Sequence, residues 1–245
     1  MAEDRGAEAI ATEPVKVDIR SVDAELSSLW TKAAEGGLPG VSSPVARVLL
    51  SNLLVYATSD TEANEARDII NQIAADHPAR VVIADAEPGE PRPELKADLS
   101  MLCSISEYGR RLCGEEVRIH THGITSEALG SILPLLAPDL PIYIWTTGDL
   151  IADDEVLREL SHVADHWIID SRRSQNWAAS LKRVYNITLQ HELSVIPHDL
   201  AWIALSDWRE VIAQFFDSST ARKYIPGIIS ITINYRPNEQ AKLPV

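Results

Sequence analysis

The 245-residue chain is short of cysteine, with two, and short of basic residues, with 22 Lys and Arg against 36 Asp and Glu, while its 11 glycines are scattered. Each shortage excludes something. Two cysteines are too few for a secreted disulfide scaffold, and their spacing matches no CxxC zinc pattern, so a reducing cytosol is the expected compartment. The formal charge of −14 repels phosphate backbones and anionic lipid. Neither nucleic acid nor a membrane surface is therefore an expected partner. The longest apolar runs, such as Val81–Ala84, are strand-sized and far below the roughly 20 residues that span a bilayer. The opening MAEDRGAEAI is acidic and lacks the basic and apolar order of a signal peptide, so a cytoplasmic location is expected. No nucleophile elbow, Walker A loop or GxGxxG run is present, and no catalytic, cofactor-binding or metal-ligating set is assigned.

An apolar content of 45% is enough for a sizeable core, and its periodicity has a clear order. Residues 1–20 are charged and aperiodic and read as a flexible acidic tail. Ser21 opens a helix with Val22, Leu26, Leu29, Trp30 and Ala33 on one stripe, and GLPGVSSP follows as a loop. Leu53–Ala57, a helix capped by Ser59 with Glu62 in a capping box, and Val81–Ala84 form a strand–helix–strand unit with parallel strands. Ala66, Ile69, Ile70 and Ile73 form that helix's buried stripe. Leu99–Ile105 and Val117–Thr121 alternate as an antiparallel hairpin. Thr125 caps a helix that Pro134 shortens. PIYIW, Asp153–Ala164, HWIID and Ser174–Leu189 continue the alternation, the last burying Trp177, Leu181, Val184 and Tyr185. A helix over Ser206–Phe216 buries Trp208, Val211, Ile212, Phe215 and Phe216, and IISITINY reads as one more strand. The fold class is α/β: a mixed, mainly parallel sheet covered by helices, Rossmann-like in layout, with an antiparallel hairpin. The division is a tail over 1–20, an α/β domain over 21–227, and over 228–245 the start of a missing or truncated C-terminal domain.

Four groups of residues are candidates for function. His120 and His122 share a strand face at a spacing that suits two metal ligands, but Arg118 on the same face disfavours a cation, so a solvated polar face is the preferred reading. Arg172 and Arg173 follow the strand HWIID and precede a helix that Ser174 caps, a place where α/β sheets bind phosphate; pairing with surface acids is the plainer alternative. Cys103 and Cys113 face each other if the hairpin has a three-residue loop at Glu107–Gly109. They are then either a reversible redox pair or buried inert thiols. Trp30, Trp177 and Trp208 fall on apolar stripes, while Trp202, in the approach to the last helix, is the candidate partner-facing aromatic.

Taken together, VDAELSSLW, ARVLLSNLLVYA, HPARVVIAD, CGEEVRIHTHG, LPLLAPDLPIYIW, HWIIDSR and DLAWIALSDWREVIAQFFD, in this order over residues 20–217, resemble the glucose-6-phosphate dehydrogenase assembly protein family, OpcA. The resemblance implies a non-catalytic protein that binds glucose-6-phosphate dehydrogenase and promotes its active oligomer or modulates its activity, at the entry of the oxidative pentose phosphate pathway. It brings no catalytic motif and no cofactor. Cys113, in CGEE, matches a family-like cysteine, and redox control proposed in photosynthetic relatives implies a thioredoxin-type reductant as a further partner. The alternative from the residues alone is a phosphometabolite-binding enzyme or sensor that uses the crevice near Arg172 and Arg173.

Overall fold

A computed structural model of the chain describes residues 10–36, 45–87, 95–105, 111–122, 125–148, 154–190 and 195–232. The ends of the chain and the loop at Glu107–Gly109 lie outside the described residues.

The chain opens with two short strands, β1 (Ile10–Ala11) and β2 (Val15–Asp18), followed by a 3-10 turn and the helix α1 (Val22–Ala34). Next come β3 (Val45–Arg47), β4 (Asn52–Ala57), α2 (Asp60–Ile73), β5 (Arg80–Glu87), β6 (Lys96–Ile105) and β7 (Arg111–His122). After them stand α3 (Ser126–Ile132), β8 (Ile142–Thr146), α4 (Asp154–Val163), β9 (His166–Ile169), α5 (Trp177–Gln190) and β10 (Ile196–Asp199). Three short helices close the described chain: α6 (Leu200–Ala204), α7 (Ser206–Gln214) and α8 (Ser219–Arg222).

All the strands join one sheet of order β1-β6-β7-β5-β4-β8-β9-β10, with β2 also on β6 and β3 also on β7. The run from β7 to β10 is parallel, and β6 lies antiparallel to β7, so the sheet is mixed and mainly parallel. Its central strands carry apolar side chains on both faces, the pattern expected of a covered parallel sheet. Leu54, Val82 and Ala84 join the apolar residues of α1, α3, α4 and α5 in one cluster, while Val55, Val81 and Ile83 join Ala63, Ala66 and Ile70 of α2 in the other.

Local chemistry sets the helix starts. The Ser59 hydroxyl accepts from the Glu62 N–H at the start of α2, and the Thr125 hydroxyl accepts from the Ala128 N–H at the start of α3. Pro134 falls in a 3-10 turn after α3, so the helix stops early, as its missing donor requires.

Several expectations need correction. Residues 10–11 and 15–18, expected in the loose tail, are strands on β6, where the sheet supplies the pairing that their own sequence does not advertise. Ser174 accepts from the Asn176 N–H, and it is Asn176 that caps α5 by accepting from Ala179. Ile69, Ile73 and Tyr185, expected on buried stripes, are exposed, because α2 and α5 each press only a narrow edge against the sheet. The largest correction concerns α7. Trp208, Val211, Ile212 and Phe215 were expected to be buried, yet no residue of α7 is buried. The helix follows α6 beyond β10, touches α6 through Arg209 and Trp202, and leaves its apolar stripe exposed.

Candidate interaction surface

In an open α/β sheet, ligands enter beyond the carboxyl ends of the strands, where the strand order reverses. Here that point lies between β4 and β8. It is filled from within. The Oε2 of Glu62 accepts from the Thr58 N–H at 2.9 Å, the Thr58 hydroxyl at 3.0 Å and the Thr147 hydroxyl at 3.0 Å. On the other side of the crevice, a Cβ placed on Gly148 would stand 2.6 Å from Glu62 Oε1. The capping box of the sequence is thus altered: Ser59 caps as expected, but the carboxylate of Glu62 reaches Thr58 and Thr147, just past β8, rather than the Ser59 N–H. A donor set that would suit an anion holds the chain's own carboxylate.

The two arginines farther along the strand ends are engaged as well. Arg172 makes a bidentate contact to Asp170, Nε to Oδ1 at 2.8 Å and Nη2 to Oδ2 at 2.7 Å. Burial opposes ionisation of Asp170, but the Arg172 side chain and backbone N–H outweigh it and hold the carboxyl below its usual range. Arg173 reaches across to Glu65 at 2.6 Å, and the Ser174 and Ser180 hydroxyls share a hydrogen bond at 2.8 Å. A shallow recess lined by Ile169, Ser171, Ser174 and Leu181 lies beside them. Neither guanidinium points into it unpaired.

His120 lies between two carboxylates, Asp85 at 3.7 Å from Nδ1 and Asp98 at 2.9 Å from Nε2. Asp85 and, against the effect of burial, Asp98 raise its pKa above the ordinary imidazole value. Arg118 contacts Asp85 at 2.8 Å, Asp60 at 2.6 Å and the Asn64 side-chain oxygen at 2.7 Å. Among the described residues no group of three or more His, Cys, Asp or Glu side chains is arranged to hold a metal ion. The side chain of His122 lies outside the description.

The register of β6 and β7 places Cys103 opposite Cys113, with Leu99 opposite Val117. The two cysteines, both buried, are joined by a disulfide. On their outer sides β1 pairs at Cys103 and β3 pairs at Cys113, so the bond lies where four strands meet.

Among the described residues, a broad apolar surface lies at the opposite edge of the sheet. Trp202 on α6 is 60% exposed, and the Arg209 guanidinium lies over its ring at 4.0 Å from the centroid. Arg209 also donates to the Ser206 hydroxyl at 3.0 Å. Trp208 on α7 and Phe215 just past its end are 69% and 73% exposed. Periodicity located this stripe correctly but assigned it to the core, since an amphipathic helix looks the same whether its partner lies within the chain or outside it.

Comparison with known proteins bears on what such a surface meets. Residues 42–186 match the family model described as the glucose-6-phosphate dehydrogenase subunit N-terminal domain, and residues 197–244 match that of its C-terminal domain. The chain belongs to this family, the OpcA family of glucose-6-phosphate dehydrogenase assembly proteins. It is 26% identical over 181 residues to a putative OxPP cycle protein OpcA of Synechocystis, and 25% identical over 177 residues to the protein of the same name in Nostoc punctiforme. The matches cover 73% and 71% of this chain but 37% of each relative, so the chain spans under two-fifths of the relatives' length. The boundary between the two OpcA domain models falls between α5 and β10, yet β10 pairs with β9 in the sheet. The segment matched to the second domain therefore begins as the edge strand of the first, and α6–α8 extend from it. Among the described residues no helix is long and apolar enough to cross a membrane.

Proposed function

We propose that the chain is a non-catalytic effector that binds glucose-6-phosphate dehydrogenase and favours its active oligomer in the oxidative pentose phosphate pathway, acting in the cytoplasm. The family supports the partner, and the filled crevice supports the absence of catalysis. Where a related layout would receive a substrate or nucleotide, the Glu62 carboxylate accepts from the Thr58 N–H and from the Thr58 and Thr147 hydroxyls. A protein without an active site can still change an enzyme's activity if it binds one of the enzyme's states more tightly than another. Trp202, exposed and stacked under Arg209, is the aromatic anchor of this contact, since interface hot spots favour Trp and Arg. Cys103 and Cys113 add a redox input: a thioredoxin-type reductant opens the bond and loosens the strands β1 and β3 that pair beside it.

The phosphometabolite alternative draws less support, because Arg172 and Arg173 are already held by Asp170 and Glu65. The deciding experiment is titration of purified dehydrogenase with the chain, under reducing and oxidising conditions, following activity and oligomer size. A saturable change in either supports the reading. Unchanged kinetics and size at saturating chain defeat it.

A further inference from the structure

β10 ends the sheet on one side, and the segment matched to the C-terminal domain model begins within it. It pairs in parallel with β9, so that His198 stands beside Ile168 and shares a sheet face with His166. On that face His166 Nδ1 lies 3.0 Å from His198 Nε2, and the Tyr143 ring of β8 stacks on His166 with centroids 4.5 Å apart. A bond between two imidazoles thus adds to the backbone ladder that holds β10.

The chemistry of that bond sets a limit on its charge. Two neutral imidazoles share one hydrogen, which one ring nitrogen donates to the bare nitrogen of the other. With one extra proton the contact survives, because an imidazolium donates to a neutral ring. With two it cannot: both facing nitrogens then carry hydrogens, and both rings are positive. Among the described residues no carboxylate is placed to offset that charge, since neither ring forms an ion pair. Asp165, next to His166, accepts from the Ile142 N–H, and Asp199, next to His198, accepts from the Ser171 and Ala201 N–H groups. Asp170 is held by Arg172, and Arg173 by Glu65. The helices α4 and α5, which carry His162, Lys182 and Arg183, pack on the opposite face with Trp167 and Ile169. On the near face α2 rests on β4 and β5, and α6 has no charged residue.

We infer that the His166 and His198 pair is a proton-operated latch, closed with at most one extra proton and open with two. It makes the docking of β10, and of the C-terminal segment that begins there, sensitive to acid between about pH 7 and 5. The sign follows from the proton count. In that window the open state binds one proton more than the closed state, so opening gains as pH falls, by up to about tenfold per pH unit. The latch is separate from dehydrogenase binding and from the disulfide, which lies toward the other edge of the sheet.

Hydrogen exchange of the whole chain tests this, read at the Ile196 and His198 amides, corrected for intrinsic rate, from about pH 7.5 to 5. Protection of β10 should fall toward acid by up to about tenfold per pH unit, while β4, the internal reference, holds. His166→Phe and His198→Phe each leave a single ring and should flatten that slope. A wild-type slope no steeper than that of β4 overturns the inference. So does a slope that survives both variants, which would pass the effect to Asp165 and Asp199. Where a variant leaves β10 unprotected even at neutral pH, NMR titration of the wild-type ring protons decides. Uptake in two steps at least about one pH unit apart supports the latch, and both rings titrating together in one step overturn it.

Discussion

Arg80 and Glu115, neighbours across β5 and β7, form an ion pair at 2.6 Å in which the glutamate is fully buried and the arginine nearly so. Glu115 also accepts from the Trp30 indole N–H at 2.5 Å and pairs with Arg47 at 2.9 Å, while Arg80 donates to the Leu135 carbonyl at 2.8 Å. One carboxylate thus ties α1, β3, β5 and the turn after α3 to the sheet. Removing a single partner strands the others, so Glu115→Gln should destabilise the fold by about 3 to 5 kcal/mol. Chemical denaturation checks this, and a loss under about 1 kcal/mol would show that the network relaxes freely.

The second prediction follows from His120. Asp85, and then Asp98, raise its pKa above the ordinary value near 6.5, so the folded state binds this proton more tightly than the unfolded chain does. That contribution is fully present below pH about 6.5 and is lost as pH rises through the folded pKa. The melting-temperature gap between the wild type and His120→Gln should therefore narrow from pH 6 upward. A gap that widens with pH would reverse the assignment. Asp85 acts in the opposite direction: burial opposes its ionisation, but His120 and Arg118 prevail, so its share is present above its unfolded pKa and lost in acid.

The disulfide supports a third. Cys103 and Cys113 are ten residues apart, and closing so short a loop restricts the unfolded chain by about 2 to 4 kcal/mol. Reductant should lower the melting temperature of the wild type and leave that of Cys113→Ser unchanged. Alkylation followed by mass measurement reads the state directly: two free thiols in protein isolated without reductant would remove the redox proposal.

How far these residues were legible differs from case to case. Opposition of Cys103 and Cys113 followed from a three-residue loop at Glu107–Gly109, a register that also keeps Leu99 and Met101 on the face of Val117, whereas a slip of one residue would turn those apolar side chains outward. The Ser59 and Thr125 caps were legible because a cap is a local bond. The destination of the Glu62 carboxylate was not, since Thr147 follows another strand, β8, 85 residues away. Nor were β1 and β2, whose pairing depends on the edge offered by β6 rather than on their own composition. The α7 stripe failed for a third reason: periodicity reports that a face is apolar and says nothing about what covers it.

Trp202 gives the fourth prediction. At 60% exposure its removal should cost the fold little, while a central aromatic in an interface is typically worth 2 kcal/mol or more, roughly 30-fold in Kd. Trp202→Ala should therefore weaken dehydrogenase binding by at least about tenfold at unchanged melting temperature. An unaltered titration curve would move the interface elsewhere.

The last prediction contrasts two glycines. A Cβ at Gly114 would stand 2.6 Å from the Ala79 carbonyl oxygen, the same oxygen that accepts from the Glu115 N–H at 3.1 Å. Backbone cannot turn aside as a side chain does, so Gly114→Ala must push β7 away from the turn before β5 and strain that bond, at about 1 to 3 kcal/mol. At Gly148 the obstacle is the carboxylate of Glu62, which can swing out if it gives up its bonds to Thr58 and Thr147. Gly148→Ala should therefore be additive with Gly114→Ala but not with Glu62→Ala, which removes the obstacle itself. Full additivity of Gly148→Ala with Glu62→Ala in denaturation experiments would show that the crevice is not closed by Glu62, and would return the sheet's ligand position to the candidates for binding.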